Sequence, residues 1–137
     1  MYENGDSYIT FYGERVNWMY PVNDYIEALI PAAFGSDAPV VGCNPLLGVH
    51  AAVNRKTKDN NPVGERQQIK VLEALKAYTL MGAYASFEED IKGSLEKGKL
   101  ADLVVLDKSI LNVEKEKIKE LRVELTMIDG EIVYQNV

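Results

Sequence analysis

Apolar residues follow a helical period in the first two thirds of the chain and a strand period in the last third. The strongest helical repeat spans about 65–81, where Ile69, Leu72, Leu75 and Leu80 recur at near-helical spacing. Shorter helices are predicted over about 21–29 and 45–54, because Pro21 and Pro45 suit a first helical turn. The pattern therefore predicts three helices before residue 92.

Two short strands and one helical turn are also predicted in this first part. Aromatic residues in Tyr8–Tyr12 favour a short strand, and the apolar stretch at about 32–36 reads as a buried strand followed by turn residues. Ser86 and Glu89 have the spacing of a capping box, which predicts a helical turn through Ile91.

The last third is predicted to be mainly β-structure. The nearly continuous apolar run at 101–107 indicates a strand covered on both faces, and a charged helix is predicted over 113–121. Two alternating stretches, 123–128 and 131–134, flank Asp129-Gly130, which is a strong signal for a β-hairpin.

The fold class that follows is α/β, or α+β if the chain is considered as a fragment. Helices and strands alternate up to about residue 92, in the manner of βα units from a larger parallel sheet. Residues 93–137 resemble strands of a small β-sandwich. We therefore predict a boundary between 1–92 and 93–137.

Length and charge narrow the class of protein. The 137 residues suit one domain, and 47% apolar with 26% charged residues is ordinary globular composition. A net charge of −6 argues against nucleic acid and anionic membranes as partners. The single cysteine excludes an internal disulfide, and the polar start and short apolar runs predict neither a signal peptide nor a membrane span, so a cytoplasmic location is expected.

Asp37 is the most informative polar residue. It follows the predicted strand at 32–36, and a carboxylate at the carboxyl end of such a strand can hold a metal or move a proton. The alternative is a turn residue of the Gly-Ser-Asp-x-Pro loop, whose side chain accepts backbone N–H groups.

Other candidate residues have ready structural explanations. His50, the only histidine, is interpreted as a packed or hydrogen-bonded residue, since one histidine cannot build a catalytic zinc site. Cys43 lacks a neighbouring base and is interpreted as an ordinary small residue. Arg55 either binds a substrate carboxylate or simply suits the end of a helix. Gly98-Lys99 lacks a complete phosphate-binding motif and is predicted to be a structural turn.

Five segments taken together resemble the C-terminal end of a metal-dependent amidohydrolase of the amidohydrolase family 3 group, which includes N-substituted formamide deformylases and exoenzyme regulatory proteins. The segment Phe-Gly-Ser-Asp-Ala-Pro-Val contains Asp37, and a later one reads Gly-Lys-Leu-Ala-Asp-Leu-Val-Val-Leu-Asp. The five segments occur in family order at 34–40, 45–55, 73–79, 93–107 and 126–134.

This resemblance implies that 32–36 is the last strand of a TIM-type barrel and that residues from 93 onward belong to the composite β-sandwich of the superfamily. It also implies that Asp37 is the metal-site aspartate, which contacts a divalent metal, expected to be zinc, and carries a proton to the leaving amine. The parent would hydrolyse a small amide at a carbon–nitrogen bond other than a peptide bond.

The chain departs from the family pattern because it has one histidine in all, so the other metal ligands have no counterpart. It is therefore interpreted as a fragment or truncated product that binds no metal and is inactive by itself. The alternative is a noncatalytic module that self-associates or binds a partner through exposed strand edges or the former barrel-facing surface.

Overall fold

The structure, a computed structural model, describes residues 1–136 of the chain. Helices occupy the first part and a small antiparallel sheet the last part. The helices are α1 (Gly5–Tyr12), α2 (Val22–Glu27), α3 (Pro45–Asn54), α4 (Val71–Tyr78) and α5 (Leu80–Ala85), and the strands are β1 (Leu103–Leu106), β2 (Val123–Ile128) and β3 (Glu131–Gln135). Short 3₁₀ helices lie at Gly13–Trp18, Glu65–Gln67 and Lys115–Glu120. The described chain is thus a mixed α and β structure.

Helix α3 confirms the prediction for 45–54. The Asn44 side chain accepts a hydrogen bond from the Leu46 amide at 3.0 Å, and Pro45 occupies the first turn. The helix ends where Arg55 adopts the left-handed conformation, with φ 48° and ψ 46°. Helix α2 likewise forms next to Pro21 as predicted and ends at Glu27.

The prediction of one helix over 65–81 is wrong in its bounds. The helix α4 starts only at Val71, where the Glu73 carboxylate accepts the Lys70 amide at 2.7 Å. It stops at Thr79, whose φ of −114° and ψ of −87° break the helical path before α5. The apolar period continues across this break, because both helices bury small side chains on one side, including Ala74, Ala77 and Ala83.

The main core lies between α3, α4 and the 3₁₀ helix Lys115–Glu120. Its buried members are Val49, Ala52, Val53, Ile69, Ala74 and Ile118. The predicted helix over 113–121 is therefore shorter and of the 3₁₀ type, and within it only Ile118 is buried. Because Ile118 comes from the last third of the chain, this core joins the helical part to the segment that precedes β2.

The predicted hairpin is confirmed. Strand β2 lies between β1 and β3, and both pairings are antiparallel. Asp129 has φ 49° and Gly130 has φ 80°, as expected for a two-residue turn with a positive φ at both central positions.

The prediction that 101–107 is covered on both faces is wrong. Val104 and Val105 point to opposite faces of β1, and their exposed fractions are 54% and 45%. Every residue of β3 is also exposed. A continuous apolar run shows that both faces of a strand can be buried. The described residues include too few neighbours to cover both faces of β1.

The two strands predicted in the first part are absent from residues 1–136. Tyr8–Tyr12 is helical, since α1 packs its buried Gly5 against Thr57, so closely that a Cβ there would lie 2.6 Å from the Thr57 methyl carbon. Residues 32–36 have no strand pairing, and the Phe34 amide donates instead to the Ala77 carbonyl at 3.0 Å. A strand needs an adjacent strand, and here a helix end takes its place.

The predicted capping box at Ser86 is also wrong. Ser86 follows the last residue of α5, and its hydroxyl donates to the Glu88 carboxylate at 2.6 Å rather than to Glu89. The chain then turns through Ile91, whose amide donates to the Glu88 carbonyl at 3.0 Å. None of the helices described in 1–136 is long and apolar enough to span a membrane.

Candidate functional site

Asp37 lies where the segment 32–36 leaves the surface of α3 and α4 and enters a loop. The turn that follows is closed by its neighbours: the Ser36 hydroxyl accepts the Ala38 amide at 3.2 Å, and the Asp37 carbonyl accepts the Val40 amide at 2.9 Å. Among residues 1–136, none donates a hydrogen bond to the Asp37 carboxylate. Ser36 therefore performs the turn role considered for Asp37, and the carboxylate remains available.

Asp37 borders a cavity of about 520 Å³, which we call the tyrosine cavity. It lies between α1, the start of α2, the segment 32–41 and α3. Five aromatic side chains form much of its wall, namely Tyr8, Tyr20, Tyr25, Phe34 and Tyr78. The charged side chains that line it within the described chain are Asp37 and Arg55. A concave, mainly apolar space with a few polar groups is the usual form of a small-molecule site.

Arg55 is 2% exposed and is held by backbone carbonyl groups on two sides. Its Nε donates to the Val63 and Gly64 carbonyls at 3.0 and 3.2 Å, and its Nη2 donates to the Met19 carbonyl at 3.0 Å. Its Nη1 lies 3.5 Å from the Tyr20 carbonyl. The guanidinium thus ties the end of α3 to the turn before α2 and to the loop after α3.

Burial lowers the pKa of the Arg55 guanidinium, and Tyr20 opposes that change. A guanidinium remains charged at neutral pH even so. Within residues 1–136 it forms no ion pair with a carboxylate. The backbone carbonyl groups stabilise this buried cation, because their oxygen atoms place partial negative charges around it.

Tyr20 connects the two charged residues of the cavity. Burial raises the pKa of its phenol, a hydrogen bond with the Tyr8 phenol and the charge of Asp37 raise it further, and Arg55 lowers it. The phenol is therefore protonated at neutral pH and can donate a hydrogen bond. Burial alone raises the pKa of Tyr78 on the opposite wall.

His50 lies outside the cavity lining, on the buried side of α3, and is 4% exposed. Its Nδ1 is 3.3 Å from the Lys115 carbonyl oxygen and 3.0 Å from the Asn54 Nδ2, and the Tyr2 ring packs edge-on at 5.2 Å. Burial, followed by the charge of Lys119, lowers its pKa. The structure therefore places His50 in packing contacts and does not bring it to Asp37.

Cys43 and the Gly98-Lys99 turn lie outside the cavity lining. Cys43 is exposed and is not among the residues that line the cavity. Gly98 has φ 98°, and Lys99 donates to the Ser94 hydroxyl at 2.8 Å, while the Asp102 carboxylate accepts the Asp129 amide at 2.8 Å. The segment from Gly98 to Asp102 is thus the turn that sequence predicted, and it fastens the start of β1 to the hairpin.

The described residues do not by themselves make a metal site. Within 1–136, no group of three or more histidine, cysteine, aspartate or glutamate side chains is placed to hold an ion. Asp37 has no second ligand beside it in the cavity lining. A catalytic zinc normally needs three protein ligands, so this chain fits such a group only as the donor of one.

Sequence reasoning missed Tyr8 and Tyr20 as neighbours of Asp37. The predicted strand at Tyr8–Tyr12 would place successive side chains on opposite faces, and Tyr20 lies outside that prediction. The available signal was Tyr20-Pro21, since the residue before a proline is restricted and often marks a turn.

Comparisons with known proteins identify the family of the chain. A sequence model described as "Amidohydrolase family" matches residues 7–134. The Bacillus subtilis protein YtcJ, which is named as an amidohydrolase, is 33% identical over 125 residues, which cover 89% of this chain and 24% of that protein. N-substituted formamide deformylase from Arthrobacter pascens is 32% identical and matches 85% of this chain and 22% of its own length.

A solved structure of an amidohydrolase from Thermotoga maritima has the same fold over 84% of this chain and 26% of its own, with a TM-score of 0.65 and 24% identity. The chain thus spans about a quarter of the length of the relatives that it matches. Because the family match includes almost every described residue, from α1 to β3, the chain belongs to the amidohydrolase family.

Proposed function

We propose that this chain is the C-terminal portion of a metal-dependent amidohydrolase that acts on carbon–nitrogen bonds other than peptide bonds. The observation that carries the proposal is the position of Asp37. Its carboxylate borders the tyrosine cavity, inside the region that matches the family, and among residues 1–136 no hydrogen bond occupies it.

Asp37 is the residue that we assign to the chemistry. In the longer protein, the segment 32–36 would pair with a neighbouring strand as the last strand of a TIM-type barrel, with residues 93–137 in the β-sandwich. Asp37 would then stand at the carboxyl end of that strand, where barrel enzymes place their active sites. A carboxylate there can accept a proton from the attacking water and return it to the leaving amine.

The longer protein would hold a divalent metal, with zinc as the expected ion, and Asp37 would contribute one ligand. A bound metal supplies Lewis acidity and lowers the pKa of a bound water. The remaining ligands must come from outside the described residues, since these offer no group of three. For the same reason, we expect the chain alone to be inactive as a hydrolase.

A small amide is the proposed substrate class. The Arthrobacter pascens relative is named for its action on N-substituted formamides. The tyrosine cavity, at about 520 Å³, has the volume that small-molecule sites commonly have. Aromatic walls suit an apolar substituent on the amide nitrogen.

A chimera tests the assignment of Asp37. This chain would replace the matching quarter of the Arthrobacter pascens enzyme, and formate release from an N-substituted formamide would be measured. We expect the chimera to be active and Asp37→Asn to lower kcat by at least ~10³-fold, as removal of a general acid–base and ligand group does. Asp90→Asn, in an exposed loop, is the matched control and should leave kcat unchanged. An Asp37→Asn chimera that retains full turnover would contradict the proposal.

Self-association remains a proposal for the isolated chain. Strands β1 and β3 form the two edges of the sheet, and Val104, Ile132 and Val133 are each more than half exposed. Light scattering over a concentration series would show association by this sheet, and Ile132→Lys should reduce it. The cytoplasm remains the proposed location, on the basis of cysteine content alone.

A further inference from the structure

Three residues that line the tyrosine cavity share an uncommon backbone conformation. Tyr20, Asp37 and Arg55 have φ values of 52°, 59° and 48°, in the left-handed region that residues other than glycine seldom adopt. Arg55 adopts it as the residue that ends α3, which is common at helix ends, whereas Tyr20 and Asp37 adopt it in turns, where surrounding contacts must hold it. Asp37 carries the proposed catalytic carboxylate, and Tyr20 and Arg55 line the same cavity.

Tyr20 is held by a local turn and, through the residue before it, by Arg55. The guanidinium approaches the Tyr20 carbonyl and donates to the Met19 carbonyl, while the Val22 amide donates to the Tyr20 carbonyl at 2.8 Å. Helix α2 starts at Val22 and could start after Pro21 without a left-handed tyrosine before it. Tyr20 lines the cavity, and its phenol is near the Tyr8 phenol and the Asp37 carboxylate, since both raise its pKa.

The charges of the cavity favour a neutral polar ligand. Asp37 is anionic, and the donors of the Arg55 cation are directed at backbone carbonyl groups. Met1 also lines the cavity, and burial followed by the charge of Arg55 lowers the pKa of its ammonium group, which disfavours the charged form. A carboxylate ligand would be repelled by Asp37, and a neutral group is not. An amide is complementary to the pair on the rim, because its carbonyl can accept from a phenol and its N–H can donate to a carboxylate.

We propose that Tyr20 binds substrate by donating a hydrogen bond from its phenol to the carbonyl oxygen of a neutral amide, and that Arg55 is the positioning residue that holds Tyr20 in the cavity. This inference rests on the proposed function, whose amide chemistry it deepens. It adds a substrate contact outside the metal site and assigns a purpose to a buried cation that lacks a carboxylate partner within residues 1–136.

Binding to the 137-residue chain tests the Tyr20 contact. The probe is N-phenethylformamide, followed by saturation-transfer NMR and by titration of ¹³C-labelled tyrosine signals. Tyr20→Phe should weaken binding about 5-fold or more, the loss expected for one hydrogen bond. Tyr12→Phe, an exposed tyrosine that does not line the cavity, is the matched control and should bind as the unaltered chain does.

Ethylbenzene, which is uncharged like the formamide and lacks the amide group, should bind Tyr20→Phe and the unaltered chain equally. The inference is overturned if the unaltered chain does not bind the formamide, or if Tyr20→Phe binds it as well as the unaltered chain does. Those outcomes leave the Asp37 assignment standing, since that assignment is decided by turnover of the chimera. A failure of Asp37→Asn to lower turnover would leave the binding result standing in turn.

The positioning role has a separate readout. Arg55→Lys keeps the charge but cannot span the same carbonyl groups, so it should weaken formamide binding in the unaltered chain and have no further effect in Tyr20→Phe. A purely structural role would weaken binding by the same factor in both backgrounds. Arg55→Gln, which keeps two N–H donors for the carbonyl groups, serves if Arg55→Lys does not fold, and it should likewise weaken formamide binding only where Tyr20 is present.

Discussion

The helical part and the sheet differ in how completely their side chains are buried. Around α3, apolar and polar groups are buried together: Ile118 and Val53 are at most 1% exposed, and Arg55, Thr57 and Gln67 are 2% exposed. In the sheet, Val104, Ile132 and Val133 are more than half exposed. These apolar side chains are therefore covered in the helical part and largely uncovered in the sheet.

The difference shows what each region can do in this chain. The closed region fixes a cavity, holds a charged side chain in place and supports residues in strained conformations, because many contacts oppose their relaxation. The sheet depends on its own backbone hydrogen bonds and on the hairpin turn. Substitutions in the two regions should consequently differ in effect, and paired variants can measure that difference.

The largest effect is expected at the buried cation. Arg55→Met should lower the free energy of unfolding by about 3–5 kcal/mol, since it leaves several buried carbonyl groups without donors. The sheet counterpart is Arg122→Ala, whose side chain is 73% exposed and lies 3.6 Å from the Asp107 carboxylate; it should cost less than about 1 kcal/mol. Urea unfolding measures both, and equal losses would contradict the contrast.

The next pair uses one substitution in both regions. Ile118→Ala removes a side chain that is 0% exposed and should cost about 3 kcal/mol, through lost burial and the cavity left behind. Ile132→Ala, at 54% exposure in β3, should stay within about 0.5 kcal/mol of the unaltered chain. A comparable loss for Ile132→Ala would show that the sheet is covered in solution, for example by a second copy.

Lowering the pH should reduce the free energy of unfolding because His50 is buried in the helical part. Burial lowers its pKa in the folded state, so below the unfolded pKa of about 6.5 the unfolded chain binds a proton that the folded chain does not. Stability should therefore fall as the pH drops from 6.5 towards the folded pKa, with a slope of at most about 1.4 kcal/mol per pH unit from this group. His50→Gln should flatten that slope in thermal unfolding between pH 7 and 5.

The smallest effects are expected at two glycines. Gly130→Ala, in the hairpin turn at φ 80°, should cost about 1 kcal/mol because alanine is strained there. Gly82→Ala, inside α5 with no atom within 4 Å of the added Cβ, should stabilise by about 0.5–1 kcal/mol. Thermal unfolding would show opposite shifts in the midpoint, and shifts of the same sign would contradict this explanation.

Helices and turns were predicted correctly where the sequence contains a capping or turn residue at their ends. Asn44-Pro45 marked the start of α3, and Asp129-Gly130 marked the hairpin, because capping and turn geometry act over a few residues. Periodicity located α4 but not its break at Thr79, since the apolar face continues through the break. The segment 32–36 is unpaired among residues 1–136 because a strand needs a neighbouring strand, and its place as the last barrel strand of the longer protein stays a prediction.

In the candidate site, too, one residue was predictable from the sequence and its neighbours were not. Asp37 was identified from its place in the Gly-Ser-Asp-x-Pro loop and from the resemblance of the surrounding segments to a family. Its tyrosine neighbours were not, since Tyr8 and Tyr20 precede it by many residues and reach it only through the packing of α1 and of the turn before α2.

The sequence by itself determined the family, the helix α3, the hairpin and the identity of the one carboxylate in the loop after residue 36. These follow from residue types and short spacings, which act locally or recur among relatives. The tertiary structure alone decided that Arg55 is buried and donates to carbonyl groups of two loops, and that the sheet stays uncovered. Burial and long-range hydrogen bonds depend on which distant residues meet, and no local pattern specifies that meeting.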